Sequence, residues 1–224
     1  MKIKIPLISE QIDISSEAAV NVVVIENQNA FYEFLKDCSN QINNNECGNV
    51  VMSRDNEPVE MSKYAEIISD FLSLNINCTN MVTKLHKKIN STMTEQDFWL
   101  NTKQVFAEVK KNILNISDFI DFAIDIGNEF DVLYLLKAAG VKFYDDYNSL
   151  SEKLLAYIIN SYKLGNKKCF ILVNLRDYIS NTDVENFYKS ILYNKLKVLI
   201  VSSKDYPVSK YEKKVIIDKD LCVI

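Results

Sequence analysis

Continuous apolar runs mark the strands expected at the centre of the fold. Val20–Ile25, Phe170–Val173 and Val198–Val201 are rich in β-branched side chains, which is typical of strands buried on both faces, as in a parallel sheet. Nearer the amino terminus, Ile3–Leu7 and Gln11–Ile14 alternate apolar and polar residues. That period of two predicts a hairpin or a pair of edge strands.

The segment between the second and third runs predicts a helix, and with it a βαβ crossover. Thr182–Glu185 has the form of a capping box, in which a Thr hydroxyl and a Glu carboxylate satisfy backbone N–H groups at a helix start. Phe187 and Ile191 then fall on one helical face. A strand, a helix and a strand in this order require a parallel sheet and a right-handed connection.

The glycine-rich loops that bind phosphate in such folds are missing from the sequence. Neither G-x-G-x-x-G nor G-x-x-x-x-G-K-[ST] occurs. The first buried strand is followed instead by Glu26–Asn29, in which Asn27 can cap a helix. The acidic side chain of Glu26 would repel a phosphate, so a working phosphate loop is not expected here.

Helical spacing of apolar residues dominates the middle of the chain. The predicted helices cover Tyr64–Leu72, Met81–Ile89, Phe98–Ile113, Asp131–Ala139 and Ser151–Leu164. Thr94–Asp97 is a second cap signal, and Gly140 and Gly165 are the expected helix ends. Ile116–Ile126 is compatible with either a helix or a strand.

This order of elements predicts an α/β protein whose sheet-containing head domain is built from both chain ends. Residues 1–59 and 166–224 would form the head, and residues 60–165 would project from it as an inserted α-helical leg domain.

Composition and charge narrow the function classes. The chain has 224 residues, of which 48% are hydrophobic and 25% charged, with a formal net charge of −4, so it can bury a sizeable core. No apolar run reaches the length of a membrane span, and we expect a cytoplasmic protein without a membrane partner. Five cysteines without a CxxC pattern indicate neither a disulfide framework nor a zinc site.

The net acidity argues against a nucleic-acid partner, but the charge is unevenly distributed. Residues 1–60 carry 4 basic and 10 acidic side chains, whereas residues 147–224 carry 13 and 8. Such segregation allows a basic surface on an acidic protein, although a solvated surface also explains lysine runs.

Acidic residues at 118–131 are the candidate metal ligands. Asp118, Asp121 and Asp125 would share one face of a helix, and the turn at Gly127-Asn128 could bring Glu129 back toward them, with Asp131 close behind. Clustered carboxylate oxygens suit Ca²⁺, which accepts six to eight ligands in loose geometry. The alternatives are a solvated acidic face and the metal site of a two-metal nuclease.

Basic residues of the middle segment are the candidate DNA contacts. Lys84, Lys87 and Lys88 would lie on one helical face, where cations can contact phosphates without reading sequence. The further candidates are Arg54, Lys63, Lys103, Lys110 and Lys111. The alternative is an ordinary soluble helix surface. His86 is the only histidine and has no nucleophile or acid at useful spacing, so no catalytic residue is predicted.

Several segments together resemble the short form of the Csn-two family, CRISPR-associated proteins of type II-A systems. They are the first buried strand ending in Glu26-Asn27, the Leu135–Lys142 block, Phe170–Asn174 with Tyr178 after it, and Ile217–Asp220 near the carboxyl end. The similarity covers nearly the whole chain in order and length.

The resemblance implies a head domain distantly like nucleotide-binding folds, without a phosphate loop, and a helical leg domain. It also implies a homotetrameric ring whose lysine-lined hole holds double-stranded DNA ends, with calcium bound by acidic residues. The implied role is non-enzymatic and lies in spacer acquisition, with other CRISPR adaptation and effector proteins as further candidate partners. A degenerate nucleotide-binding domain acting as a protein interaction module is the alternative, and a metal-dependent nuclease is a third reading.

Overall fold

The computed structural model describes residues 1–15, 17–95, 98–117, 119–120, 122–127, 131–165 and 167–224. Its strands are β1 (Lys2–Lys4), β2 (Ile12–Asp13), β3 (Val20–Ile25), β4 (Val51–Arg54), β5 (Glu57–Val59), β6 (Ala65–Ile68), β7 (Cys169–Val173), β8 (Val198–Ser202) and β9 (Glu212–Ile217). Its helices are α1 (Gln28–Ser39), α2 (Met61–Tyr64), α3 (Thr79–Glu95), α4 (Phe98–Ser117), α5 (Val132–Ala138), α6 (Leu150–Lys163) and α7 (Asn181–Tyr193). A π-helical turn extends α1 over Asn40–Asn44, and a 3-10 turn spans Leu175–Asp177.

Two sheets organise the first compact unit, which comprises Met1–Ile76 and Asp145–Ile224. The larger sheet has five parallel strands in the order β6-β7-β8-β3-β9, and the smaller has four antiparallel strands in the order β2-β1-β4-β5. The α/β class expected from the apolar runs is therefore confirmed.

Both faces of the parallel sheet are covered. One face packs against α1 and the small sheet, through buried side chains such as Phe34 and Ile3. The other face packs against α6 and α7, through side chains such as Leu154 and Phe187. The continuous apolar runs are explained by this burial, because alternate side chains of β3 enter opposite cores.

The predicted crossover is present: β7 and β8 are neighbouring parallel strands joined through α7, with Phe170 opposite Val198. The predicted capping box is wrong, because the helix is capped two residues earlier than Thr182. The N-cap is Ser180, whose hydroxyl accepts from the N–H of Asp183 and donates to its carboxylate. Thr182 lies inside the helix, because a Ser two residues earlier meets the same requirement.

The helix expected over Tyr64–Leu72 is also wrong. The short helix α2 ends at Tyr64, and the next residues, Ala65–Ile68, form β6, the edge strand beside β7. Ile67 packs on one core while Ile68 and Phe71 pack on the other. The spacing of these apolar residues matches a helix by coincidence, and pairing with β7 decides the outcome.

The second compact unit, Asn77–Tyr144, contains α3, α4 and α5. The units thus divide at 76/77 and 144/145, whereas the sequence placed the boundaries at 59/60 and 165/166. The difference has a physical reason: β6 pairs into the large sheet, and α6 buries Leu154 and Ile158 against it. No helix among the described residues is both long enough and apolar enough to cross a membrane.

Candidate nucleic-acid interface

The second unit holds α3 in place through side-chain bonds to the segment that ends the unit. The Asn77 side chain donates to the carbonyl of Phe143 (3.1 Å) and accepts from its N–H (2.8 Å). His86 is buried, with Nε2 2.7 Å from the carbonyl oxygen of Val141. Met81 is buried as well. One face of α3 is therefore fixed inward, and the sole histidine has a structural partner.

The same helix carries the predicted lysines. Lys87 and Lys88 are exposed and Lys84 is half-buried, so the structure brings these three together on one helix as predicted. Within the described residues, neither Lys87 nor Lys88 has an acidic partner at ion-pair distance. Their ammonium groups can therefore meet an anion without first breaking an ion pair.

Arg54 and Lys63 belong to the other unit, and each is next to an acid of its own segment. Arg54 lies at the end of β4, with Nε 3.4 Å from a carboxylate oxygen of Asp55. The Lys63 ammonium lies 2.9 Å from the Glu60 carboxylate, whose hydrogen bond raises the pKa of Lys63. These two predicted contacts are partly neutralised locally, unlike Lys87 and Lys88.

Two of the three lysines of α4 stack on aromatic rings, which sequence reasoning did not foresee, and the third, Lys111, is exposed. Lys103 lies 4.9 Å from the ring centroid of Trp99, and Lys110 lies 5.1 Å from that of Phe106. An i, i+4 spacing of aromatic and lysine residues is the signal that could have indicated them.

Helix α4 also exposes a broad apolar surface. None of its side chains is buried in the part of the chain that the structure describes, and Val105, Val109 and Ile113 remain 58%, 45% and 42% exposed. A cavity of about 440 Å³ lies between α4 and α5, lined by Val109, Leu135 and neighbouring side chains. A patch of this kind is typical of an interaction surface.

The predicted calcium ligands lie mostly outside the described residues, since Asp118, Asp121 and Glu129 are not among them. Asp125 is described: it is exposed and lies in 122–127, a segment without helix or strand. Asp125 therefore does not lie on the helical face expected from the sequence. Within the described residues, no group of three His, Cys, Asp or Glu side chains could hold a metal ion.

The carboxyl edge of the parallel sheet, where a nucleotide-binding fold would hold phosphate, is bridged by side-chain bonds and borders a cavity of about 600 Å³ whose lining includes Glu26, Asp205 and Lys219. The Asn27 side chain caps α1 by accepting from the N–H of Ala30 (3.0 Å) and donates to the carbonyl of Lys219 (2.8 Å). Asn174, in the left-handed region with φ 53°, accepts from the N–H of Ser203 (2.8 Å). These bonds tie β3, β7, β8 and the residues after β9 together.

A buried ion pair on the α7 side was not predicted. Arg176 lies 3.7 Å from the Glu212 carboxylate, and their side chains are 5% and 0% exposed. Arg176 also donates to the carbonyl of Pro207 (2.9 Å) and to Asn181 (3.0 Å). Burial raises the pKa of Glu212. Its two partners are 36 residues apart in the chain, so no local pattern could reveal it.

Comparison with protein-family models places this chain among the CRISPR-associated proteins. The model described as CRISPR-associated protein (Cas_Csn2) matches residues 41–221. The match covers most of the 224 residues, including the parallel strands β6, β7, β8 and β9 and the helical unit. The chain belongs to the Cas_Csn2 family, and the resemblance drawn from the sequence is confirmed.

Proposed function

We propose that this protein is a non-catalytic ring protein that binds the ends of double-stranded DNA and acts in CRISPR spacer acquisition. Membership of a CRISPR-associated family supports a role in a CRISPR system. The observation that carries the proposal is the lysine face of α3: Lys87 and Lys88 are exposed, while Met81 and His86 of the same helix are buried.

Lysines on a helix surface suit DNA-end binding because they contact phosphates without reading bases. An ammonium group is a point charge on a flexible stem, so it tolerates any sequence at the duplex end. DNA binding by these lysines is then electrostatic, and no side chain is assigned a catalytic role.

The exposed apolar surface of α4 supports self-association. We infer that a second copy of this chain covers it, because a helix of 20 residues with no buried side chain leaves a large apolar area in water. Closed symmetry would repeat the α3 lysines around one hole. Four copies would then supply a cationic ring from only a few lysines per chain.

The oligomeric mass of the protein in solution tests the ring. The intact protein is expected to run as a tetramer, and Val109→Asp should shift it to smaller species, whereas Gln104→Asp, an equal charge change on the same helix, should not. A monomer at micromolar concentration that also leaves DNA unshifted would support the alternative of an interaction module.

Calcium is proposed to bind the acidic segment that includes Asp125. Because a ligand that binds only the folded state raises its stability, millimolar Ca²⁺ should raise the melting temperature more than equal Mg²⁺ does. Asp125→Asn should reduce the rise. An unchanged midpoint in Ca²⁺ would remove calcium from the proposal.

A DNA shift assay tests the central claim. Linear duplex should bind, and covalently closed circular duplex should bind far more weakly, because it offers no end to a closed ring. Lys87→Gln/Lys88→Gln should lower the salt slope of log K by about two, roughly one for each lost phosphate contact.

The matched control is Lys36→Gln/Lys153→Gln, which makes the same charge change but removes lysines already paired with Glu33 (3.6 Å) and Asp145 (3.5 Å). It should leave binding nearly unchanged. Equal affinity for linear and closed circular DNA would contradict end binding, and protein-dependent cleavage in Mg²⁺ or Mn²⁺ would contradict the non-catalytic role.

A further inference from the structure

A second group of lysines lies at the amino-terminal edge of the parallel sheet, in the unit that does not contain α3. Its members end α6 or immediately precede β7 and β8. These amino-edge lysines are Lys163, Lys167, Lys168, Lys195 and Lys197. In the sequence they are split between two segments about 30 residues apart.

The sheet register brings the two segments together. β7 and β8 are parallel neighbours with Phe170 opposite Val198, and the N–H of Phe170 donates to the carbonyl of Lys197 (2.9 Å). The residues just before each strand therefore begin side by side, about 4.8 Å apart across the sheet. Helix α6 ends at Lys163, two residues before the turn at Gly165 that leads into β7.

Local groups compensate this charge only in part. Lys167 is half-buried and donates to the carbonyl of Ser62. Burial raises the pKa of Glu66, and the nearby charge of Lys167 opposes that shift. Glu17 lies 3.0 Å from Lys195, but both side chains are more than 60% exposed, so the pair is weak in water. Lys168 is half-buried, lies 4.5 Å from the ring centroid of Tyr162 and donates to the carbonyl of Tyr162 (3.4 Å), and neither of these partners carries a formal charge. Within the described residues, Lys197 has no acidic side chain at ion-pair distance.

The opposite edge of the same sheet has the reverse character. The residues that follow the strands there include Glu26, Asp177, Asp205, Asp218 and Asp220. The lysines among them are Lys204, which pairs with Asp177 at 3.0 Å, and Lys219. The parallel sheet is therefore polarised, with a basic amino edge and an acidic carboxyl edge.

We propose that the amino-edge lysines form a second contact surface for the phosphate backbone of double-stranded DNA. This inference rests on the proposed DNA-binding function and adds a surface to it. Lys163 and Lys195 are exposed, and the other three lysines are half-buried. Ammonium groups carried by separate segments suit a repeating anionic backbone, whose charges lie close together along the helix axis. The acidic carboxyl edge repels the same backbone, so the sheet can meet DNA with only one of its edges.

A pair of double variants tests the surface. Lys195→Gln/Lys197→Gln removes one ion-paired and one unpaired lysine from the amino edge, and Lys204→Gln/Lys219→Gln does the same at the carboxyl edge. Both change the net charge by the same amount. Affinity for linear duplex is measured across a salt series with the full-length protein, alongside Lys87→Gln/Lys88→Gln.

At about 0.15 M salt each lost phosphate contact should weaken binding about fivefold. The amino-edge variant should therefore lose more than tenfold in affinity and lower the salt slope, while the carboxyl-edge variant should stay within about twofold of the parent. Circular dichroism melts of each variant report folding independently of DNA.

The outcomes separate the inference from the proposed function. If the parent protein fails to shift linear DNA, the proposed function fails. If the parent binds and the α3 variant weakens it, but the two sheet-edge variants behave alike, the amino-edge surface is refuted and the proposed function stands. A change in oligomeric mass of the amino-edge variant, without a change in salt slope, would assign these lysines to contacts between copies instead.

Discussion

Replacing Arg176 with methionine should destabilise the protein strongly at neutral pH. Methionine fills much of the same space, but the Glu212 carboxylate is then left buried without its counter-charge. Breaking a buried ion pair from one side costs about 3–5 kcal/mol. Part of this is the loss of the donated bonds to Pro207 and Asn181, each worth about 1 kcal/mol.

The pH dependence identifies the buried carboxylate as the cause. Burial raises the pKa of Glu212, so its protonated form is favoured in the folded state. A raised folded pKa contributes stability below the unfolded value, and that contribution is lost as pH rises through the folded one. Without Arg176 to stabilise the ionised carboxylate, more of the folding stability is lost as the pH rises. The Arg176→Met defect should therefore grow between about pH 5 and pH 7.

Denaturant unfolding of three proteins at several pH values measures this. Arg176→Met/Glu212→Leu lacks both charges and should recover about 1–3 kcal/mol relative to Arg176→Met alone, because no unpaired charge remains buried. An unpaired buried carboxylate is not the cause if the single variant is equally unstable across this pH range, or if the double variant is less stable than the single one.

Two further predictions concern local bonds. Asn77→Ala removes both bonds to the Phe143 backbone and should destabilise the helical unit by about 2 kcal/mol. This loss should appear as faster amide exchange across α3, and the control Asn80→Ala, at an exposed position, should not show it. Ser180→Ala removes the α7 cap and should lower the unfolding free energy, measured in thermal melts, by about 1 kcal/mol. Thr182→Ala should change it by no more than about 0.5 kcal/mol, and the reverse order of the two variants would restore the capping box expected from the sequence.

The helix ends and buried strands could be predicted because their causes are local. Asn27 caps α1 as expected, and Gly140 and Gly165 adopt positive φ of 65° and 69° just beyond helix ends. Each depends on a few neighbouring residues, since capping bonds and left-handed turns close within one helical turn. The lysine face of α3 is predictable for the same reason.

Only the tertiary structure decided the features that join distant segments. Ala65–Ile68 is a strand because β7 offers it a partner about 100 residues later, and its own spacing of apolar residues is equally compatible with a helix. Arg176 meets Glu212 only when β9 returns beside β3.

The amino-edge lysines follow the same rule. Lys168 and Lys197 look like scattered surface residues in the sequence, and the parallel register of β7 and β8 gathers them at one edge. Periodicity along a chain records which side chains one element presents to its core, so the sequence by itself determined the elements and their inward faces. Which elements become neighbours, and which charges they carry to a shared edge, was decided by strand pairing over long sequence distances.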